Sequence, residues 1–164
     1  MIRDARPHSS VGLTENLIRL TLELNAKTIA SYWPLSSEPD VSEFNQWVEL
    51  LGKRLITPRI KGEAMEFATG ETALSSQGIR EPRGEVVALA LADLIFVPAL
   101  AVDSYGNRLG KGKGFYDRAL VGSTVPRFAV IFDQEFVDLV PTEDHDLKMH
   151  GVVSPSAIRH LMLQ

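Results

Sequence analysis

LADLIFVPALAVDSYGNRLGKGKGFYDRAL, Leu91 to Leu120, is the stretch whose reading decides the fold. Its first part, Leu91 to Asp103, is apolar and has the length of a buried strand, placed near residues 93–102. Gly110, Gly112 and Gly114 then alternate with Lys111 and Lys113. Glycine lets the backbone take positive φ, so successive N–H groups can turn toward one point and form a concavity for an anion. The two ammonium groups add full charge to that loop. FYDRAL then opens a helix, expected over about residues 113 to 121, whose N-terminal dipole also favours a phosphate. Strand, glycine-lysine loop, helix: the order is that of a polyphosphate cradle.

The spacing differs from the better-known cradles. A P-loop requires GxxxxGK[ST], whereas Lys113 is followed by Gly114, leaving no hydroxyl to meet magnesium. A dinucleotide fingerprint requires GxGxxG, and GxGxG stands here. A merely flexible basic loop would account for the glycines alone. It would not account for Arg108 before them and Tyr116-Asp117 after them, which supply a guanidinium, a phenol and a carboxylate at fixed offsets.

Outward from this loop, strands alternate with helices. Thr14 to Ala26 carries Leu17, Leu20 and Leu24 at helical spacing, with Thr14 as the expected cap. KTIASYW, Lys27 to Trp33, is a β-branched and aromatic strand ended by Pro34. Val41 to Leu51 sets Phe44, Trp47, Val48 and Leu51 on one helical face, and Gly52 closes it. Leu55 to Thr57 is expected as a brief strand stopped by Pro58, and Met65 to Ala68 as another. Residues 70–85 read as irregular. Arg127 to Phe132 and Gly151 to Ser154 complete the strands. The pattern implies an α/β fold: one domain over residues 1–164, three-layered, its mostly parallel sheet covered by helices on both faces. Ligands on such sheets sit beyond the carboxyl ends of the strands, where Arg108 to Asp117 falls.

Composition limits the partners. The 164 residues are 45% hydrophobic and 23% charged, with a net charge of −4, so nucleic acid and membrane surfaces are not expected partners. With no cysteine there is no thiol nucleophile and no thiolate metal site. No apolar leader or 18-residue apolar run occurs, and a cytoplasmic protein is expected.

FVPALAVDSYGNRLGKGKGFYDR resembles the signature of the 5-formyltetrahydrofolate cyclo-ligase family, also called 5,10-methenyltetrahydrofolate synthetases, in which VPxxAxD is followed by GxRLGxGxGxYDR. Further segments are similar: GKRLITPR (52–59), AMEF with GIREP, and FDQEFVDLVPTEDHD (132–146). Glu38 stands six residues after Tyr32, as the family's glutamate does, although Pro39 and Val41 replace the usual isoleucine and threonine. The similarity spans residues 28–154. It implies a fold like that of the NagB/RpiA/CoA-transferase group and a monomer acting on small molecules.

The resemblance also implies site roles. Arg108, Leu109, Gly110, Lys111, Gly112, Lys113, Gly114, Phe115 and Tyr116 would bind ATP, the co-substrate. Arg108, Lys111, Lys113 and Tyr116 would act in catalysis. Trp33, Glu38, Met65 and Tyr116 would hold the reduced folate, with Glu38 accepting from pterin N–H groups. The competing reading makes Glu38 an ordinary loop residue and Trp33 core. Asp117 and Asp146, beside His145, would hold Mg²⁺, unless ATP alone holds it, and Arg59 and Arg80 are candidates for a folate carboxylate. The implied reaction closes N5-formyltetrahydrofolate to the 5,10-methenyl form after ATP phosphorylates the formyl oxygen.

One departure concerns the start of the chain. Members of the family begin earlier, with a basic first helix that reaches the nucleotide phosphates, which Arg3 and Arg6 do not clearly match. Weakened ATP binding, a shortened reading of a longer gene, or compensation by Arg3, Arg6 or the loop are the expectations that follow. A folate- or nucleotide-binding relative without turnover is the alternative, and a sugar-phosphate binding or isomerase domain a more remote one.

Overall fold

The computed structural model describes residues 9–143 and 146–161. Its centre is a seven-stranded sheet in the order β11-β10-β9-β6-β1-β2-β3. The strands are β1 (Thr28–Ala30), β2 (Arg54–Lys61), β3 (Ala64–Ala68), β6 (Leu94–Pro98), β9 (Arg127–Val130), β10 (Gly151–Val153) and β11 (Ile158–His160). From β10 through β9, β6 and β1 to β2 all pairings are parallel, while β3 and β11 close the edges antiparallel.

Alternation along β6 explains the layers. Leu94 and Phe96 point into one cluster with Leu13, Leu17 and Leu20 of α1 (Leu13–Glu23) and Phe44 and Val48 of α2 (Ser42–Leu50). Ile95 and Val97 point into the other, with Ile56, Phe67, Met149, Tyr116 of α3 (Phe115–Ala119) and Leu120 just after it. Every one of these four β6 residues is fully buried, the mark of a central strand covered on both sides. The expected three layers are present, but among the described residues the second face carries the short α3 as its only α-helix, with Leu89, Val102 and Phe136 of other segments packed beside it.

Several boundaries differ from the sequence reading for identifiable reasons. The first helix begins at Leu13 rather than Thr14, behind Gly12 at φ 94. A Cβ on Gly12 would lie 2.5 Å from the Pro155 carbonyl oxygen, so glycine permits the close approach. It ends at Glu23 because Asn25 turns left-handed at φ 50, with Ala26 N–H donating to Thr21 and Asn25 N–H to Leu22. That pair of bonds is a Schellman ending. Pro58 does not stop β2, since it pairs with Phe67 across from β3. The Ile60 N–H donates to Glu81 and so faces away from β3; Pro58, two residues earlier, presents its missing N–H on that same side, beyond the end of β1 pairing at Ile56.

The supposedly irregular stretch contains a hairpin, β4 (Thr72–Leu74) with β5 (Arg80–Pro82). The long strand expected to residue 102 is broken. β6 ends at Pro98, and β7 (Ala101–Val102) instead pairs with β8 (Arg108–Leu109). The antiparallel β11 was not foreseen, because IRH is short and half exposed.

The wiring of the sheet makes a crevice. From β1 the chain moves through α2 to β2 on one side, and from β6 through α3 to β9 on the other. The strand order therefore reverses between β1 and β6. Beyond the carboxyl ends of strands at such a switch point, α/β sheets leave an opening for ligands.

Candidate active site

The loop after β1 and the hairpin after β6 meet in that opening. Glu38 follows β1 and is buried. Its Oε1 accepts the Leu35 N–H at 2.8 Å, closing the turn, while Oε2 faces the Lys111 ammonium at 3.7 Å. The loop role of Glu38 is thus visible in one oxygen, which shapes the turn, while the other faces the glycine-lysine segment.

Asp103 builds the far side. It is fully buried and accepts from the N–H groups of Tyr105, Asn107 and Val140 and from the Asn107 side chain. Burial alone would push its carboxyl up, but these hydrogen bonds, that of Val140 foremost, hold it below the usual range. The tight turn this creates returns the chain through β8 and delivers Arg108 to the crevice.

Arg108 donates to the Pro98 carbonyl at 2.8 Å and stands 4.0 Å from Asp117. Its guanidinium lies 5.6 Å from the centre of the Tyr116 ring. Burial lowers its pKa, and the charges of Asp117, Tyr116 and Asp146 act in the opposite direction. Asp146 also closes its own loop, accepting the Glu143 N–H.

Tyr116 is the buried member of the group, packed edge-on to Phe67 at 6.3 Å. Its hydroxyl has no hydrogen-bond partner among the described residues. Burial, reinforced by Glu38 and opposed by Arg108, pushes its pKa well above the ordinary phenol value, so the hydroxyl keeps its proton at neutral pH and can donate a hydrogen bond. A buried donor left unpaired costs free energy, which a ligand oxygen would relieve.

The glycines have separate duties. Gly112 and Gly114 take φ 93 and 70, the left-handed region. Gly110 does not; a Cβ there would meet the Arg108 guanidinium at 3.0 Å. Lys111, Gly112, Lys113 and Leu109 are exposed, and Lys113 has no ion pair or side-chain hydrogen bond among the described residues. Phe115 is half-buried beneath Arg118. The five-residue α3 is too short for its dipole to rival the lysine charges.

The residues expected to hold a folate are less closely joined. Met65 packs against the cluster that contains Tyr116 and Phe67. Trp33 is half-buried with the Arg80 guanidinium 5.2 Å over its ring, and it belongs to neither apolar cluster, so it is not core. Arg59 is occupied structurally by Glu66 and the carbonyls of Pro82 and Gly84. Arg3, Arg6 and His145 lie outside the described residues. Among the described residues no cluster of three or more histidines and carboxylates could hold a metal alone. Sequence reasoning gave no role to Asp103 or Arg118; a signal for the former was its place just before the SYGN turn.

The fold and site define an α/β protein with a basic glycine loop opposed to a buried carboxylate at a strand-order reversal. A model of the 5-formyltetrahydrofolate cyclo-ligase family matches residues 1–155, and the chain belongs to that family. The 5-formyltetrahydrofolate cyclo-ligase of Mycolicibacterium smegmatis is 34% identical over 148 residues, 82% of this chain and 76% of that protein. That of Escherichia coli K12 is 29% identical over 151 residues, 81% and 80% of the two chains. The solved structure of Aquifex aeolicus 5,10-methenyltetrahydrofolate synthetase superposes with a TM-score of 0.80 at 28% identity, covering 94% of this chain and 82% of that one. The Mycoplasma pneumoniae synthetase, at 21% identity and TM-score 0.75 over 93% and 91% of the chains, shares the fold.

Proposed function

We propose that the chain performs the reaction of its family, the ATP-dependent cyclisation of 5-formyltetrahydrofolate to 5,10-methenyltetrahydrofolate, with ADP and phosphate released. The observation that supports it best is the approach of Lys111 to Glu38, which sets a cationic phosphate loop against a buried acceptor in one crevice.

The chemistry asks for such an arrangement. N10 must bond to the formyl carbon, and the formyl oxygen must leave. Transfer of the γ-phosphoryl group to that oxygen makes phosphate the leaving group, with N5 carrying the positive charge. N10 then attacks the carbon, the C–O bond breaks, and the N10 proton is lost. Phosphoryl transfer needs positioning and charge neutralisation more than covalent help from the protein. Lys111, Lys113 and the loop N–H groups would receive the triphosphate, and Arg108 would stabilise the transferring group from its position over Tyr116. The free Tyr116 hydroxyl would donate to the formyl or phosphoryl oxygen. Glu38 Oε2 would accept from pterin N–H groups once Lys111 turns to phosphate, with Met65 and Trp33 as apolar walls.

Magnesium fits the carboxylates present. Asp117 and Asp146 both lie near enough to Arg108 to act on its charge, and the ion takes one or two carboxylates together with phosphate oxygens and waters. When bound it would neutralise charge on the nucleotide. Among the described residues no helix is long and apolar enough to cross a membrane. A cytoplasmic monomer working on small molecules, without nucleic acid, completes the proposal.

The test is formation of methenyl-folate from 5-formyltetrahydrofolate, followed spectroscopically with and without ATP and Mg²⁺. Product that appears only with all three supports the reading; folate binding without ATP turnover would replace it with that of a binding protein.

A further inference from the structure

We propose that Arg118 is a positioning residue for phosphoryl transfer, a tie between the glycine-lysine loop and the turn of the β2–β3 hairpin. This rests on the functional reading above. Arg118 Nη1 donates to the Lys113 carbonyl and Nη2 to the Glu63 carbonyl, each at 2.9 Å. The guanidinium lies 5.2 Å from the Phe115 ring centre. Nothing acidic pairs with it among the described residues, so its fork is spent on two backbone oxygens from segments 50 residues apart (113 − 63).

The arrangement solves a problem the glycines create. A loop with three glycines is free in solution, and ordering it around a triphosphate costs more entropy than ordering other chain. The loop's first end is already held, because Arg108 is bonded to Pro98. Arg118 holds the last end at Lys113 itself. A loop fixed at both ends before ATP arrives loses less on binding it. Gly114 belongs to the same device: a Cβ there would meet Arg118 Nη1 at 3.0 Å, so the residue must be small for the guanidinium to pass to Lys113. The anchor point is firm, since β2 and β3 are paired in continuous register from Thr57↔Ala68 to Lys61↔Ala64. A lysine could not replace it, having a single nitrogen where two divergent donors are needed.

The experiment compares wild-type, Arg118→Ala and Arg118→Lys proteins for ATP dependence of turnover, for folate binding by tryptophan fluorescence and for melting temperature. Misplacing the loop should raise the ATP requirement or lower turnover by roughly tenfold to a hundredfold in Arg118→Ala. Folate affinity should stay within about twofold, because Arg118 bonds to Lys113 and Glu63 and not to Trp33, Glu38 or Met65. Millimolar guanidinium should restore part of the alanine variant's rate, and Arg118→Lys should remain impaired. An Arg118→Ala enzyme with both wild-type turnover and wild-type ATP dependence, equal weakening toward both ligands, or a defect that guanidinium leaves untouched would each overturn the inference. Failure of the wild-type protein to turn over with ATP would instead contradict the functional reading beneath it.

Discussion

The Lys111 ammonium stands 3.7 Å from Oε2 of Glu38, joining the loop after β8 to the loop after β1 across the sheet's reversal point. The partners are unequal: the glutamate side chain is 7% exposed and the lysine 49%. A pair with one solvated member is weak, so the lysine can leave it at little cost. The carboxylate, being buried, then needs other donors.

Glu38→Gln should therefore separate the two substrates. The amide oxygen can still accept the Leu35 N–H, so the loop keeps its turn. Loss of a hydrogen bond to a charged acceptor is worth about 1.5–3 kcal/mol, and the folate requirement should rise roughly ten- to a hundredfold. ATP dependence should change far less. Equal losses for both ligands in steady-state kinetics would show that the residue serves only the loop.

Lys113→Ala should lower turnover by about 10²–10³, as for loss of one preorganised charge contact to a transition state. Its melting temperature should match the wild type, because Lys113 is exposed and packs against nothing that folding requires. Unchanged turnover would remove the loop as the phosphate site.

Asp103→Asn should be destabilised by about 2–4 kcal/mol in denaturant titrations. The new amide group would confront donors at Asn107 or Val140 where Asp103 now accepts. Activity should fall with stability, since this turn delivers Arg108. A fully stable Asp103→Asn protein would show that the turn is held by other contacts.

Stability should also respond to pH through His150. Burial, and then the nearby Arg127 charge, lower its pKa from 6.5. Its Nδ1 accepts the Arg127 N–H, which only the unprotonated nitrogen can do. The unfolded chain thus takes up a proton at higher pH than the fold does. His150's contribution is complete above pH 6.5 and is lost as pH falls from there through the depressed folded value. Thermal melts across pH 5 to 8 should show this decline, and His150→Asn, whose amide oxygen can replace Nδ1, should flatten it.

The central strand, both longer helices and the glycine-lysine loop were legible because each is local. Leu94 to Val97 is apolar on both faces, and Gly52 at φ 71 closes α2 as read. What escaped depends on distant partners. Pro58 continues a strand only because β1 pairing has ended beside it, and β11 exists as a partner for β10. Glu38 and Lys111 lie 73 residues apart (111 − 38), and no periodicity reports their meeting. The likeness to the family signature singled out Glu38 and Lys111. It did not foretell that Glu38 divides its oxygens between a turn and a lysine, or that Arg118 binds two carbonyls.

The most direct test of the account follows the formyl oxygen. With 5-formyltetrahydrofolate labelled with ¹⁸O in the formyl group, and ATP in ordinary water, the account predicts that each methenyl product is matched by one phosphate carrying the label. Methenyl product accompanied by unlabelled phosphate would contradict it, because the oxygen would then have left by a route that ATP did not create.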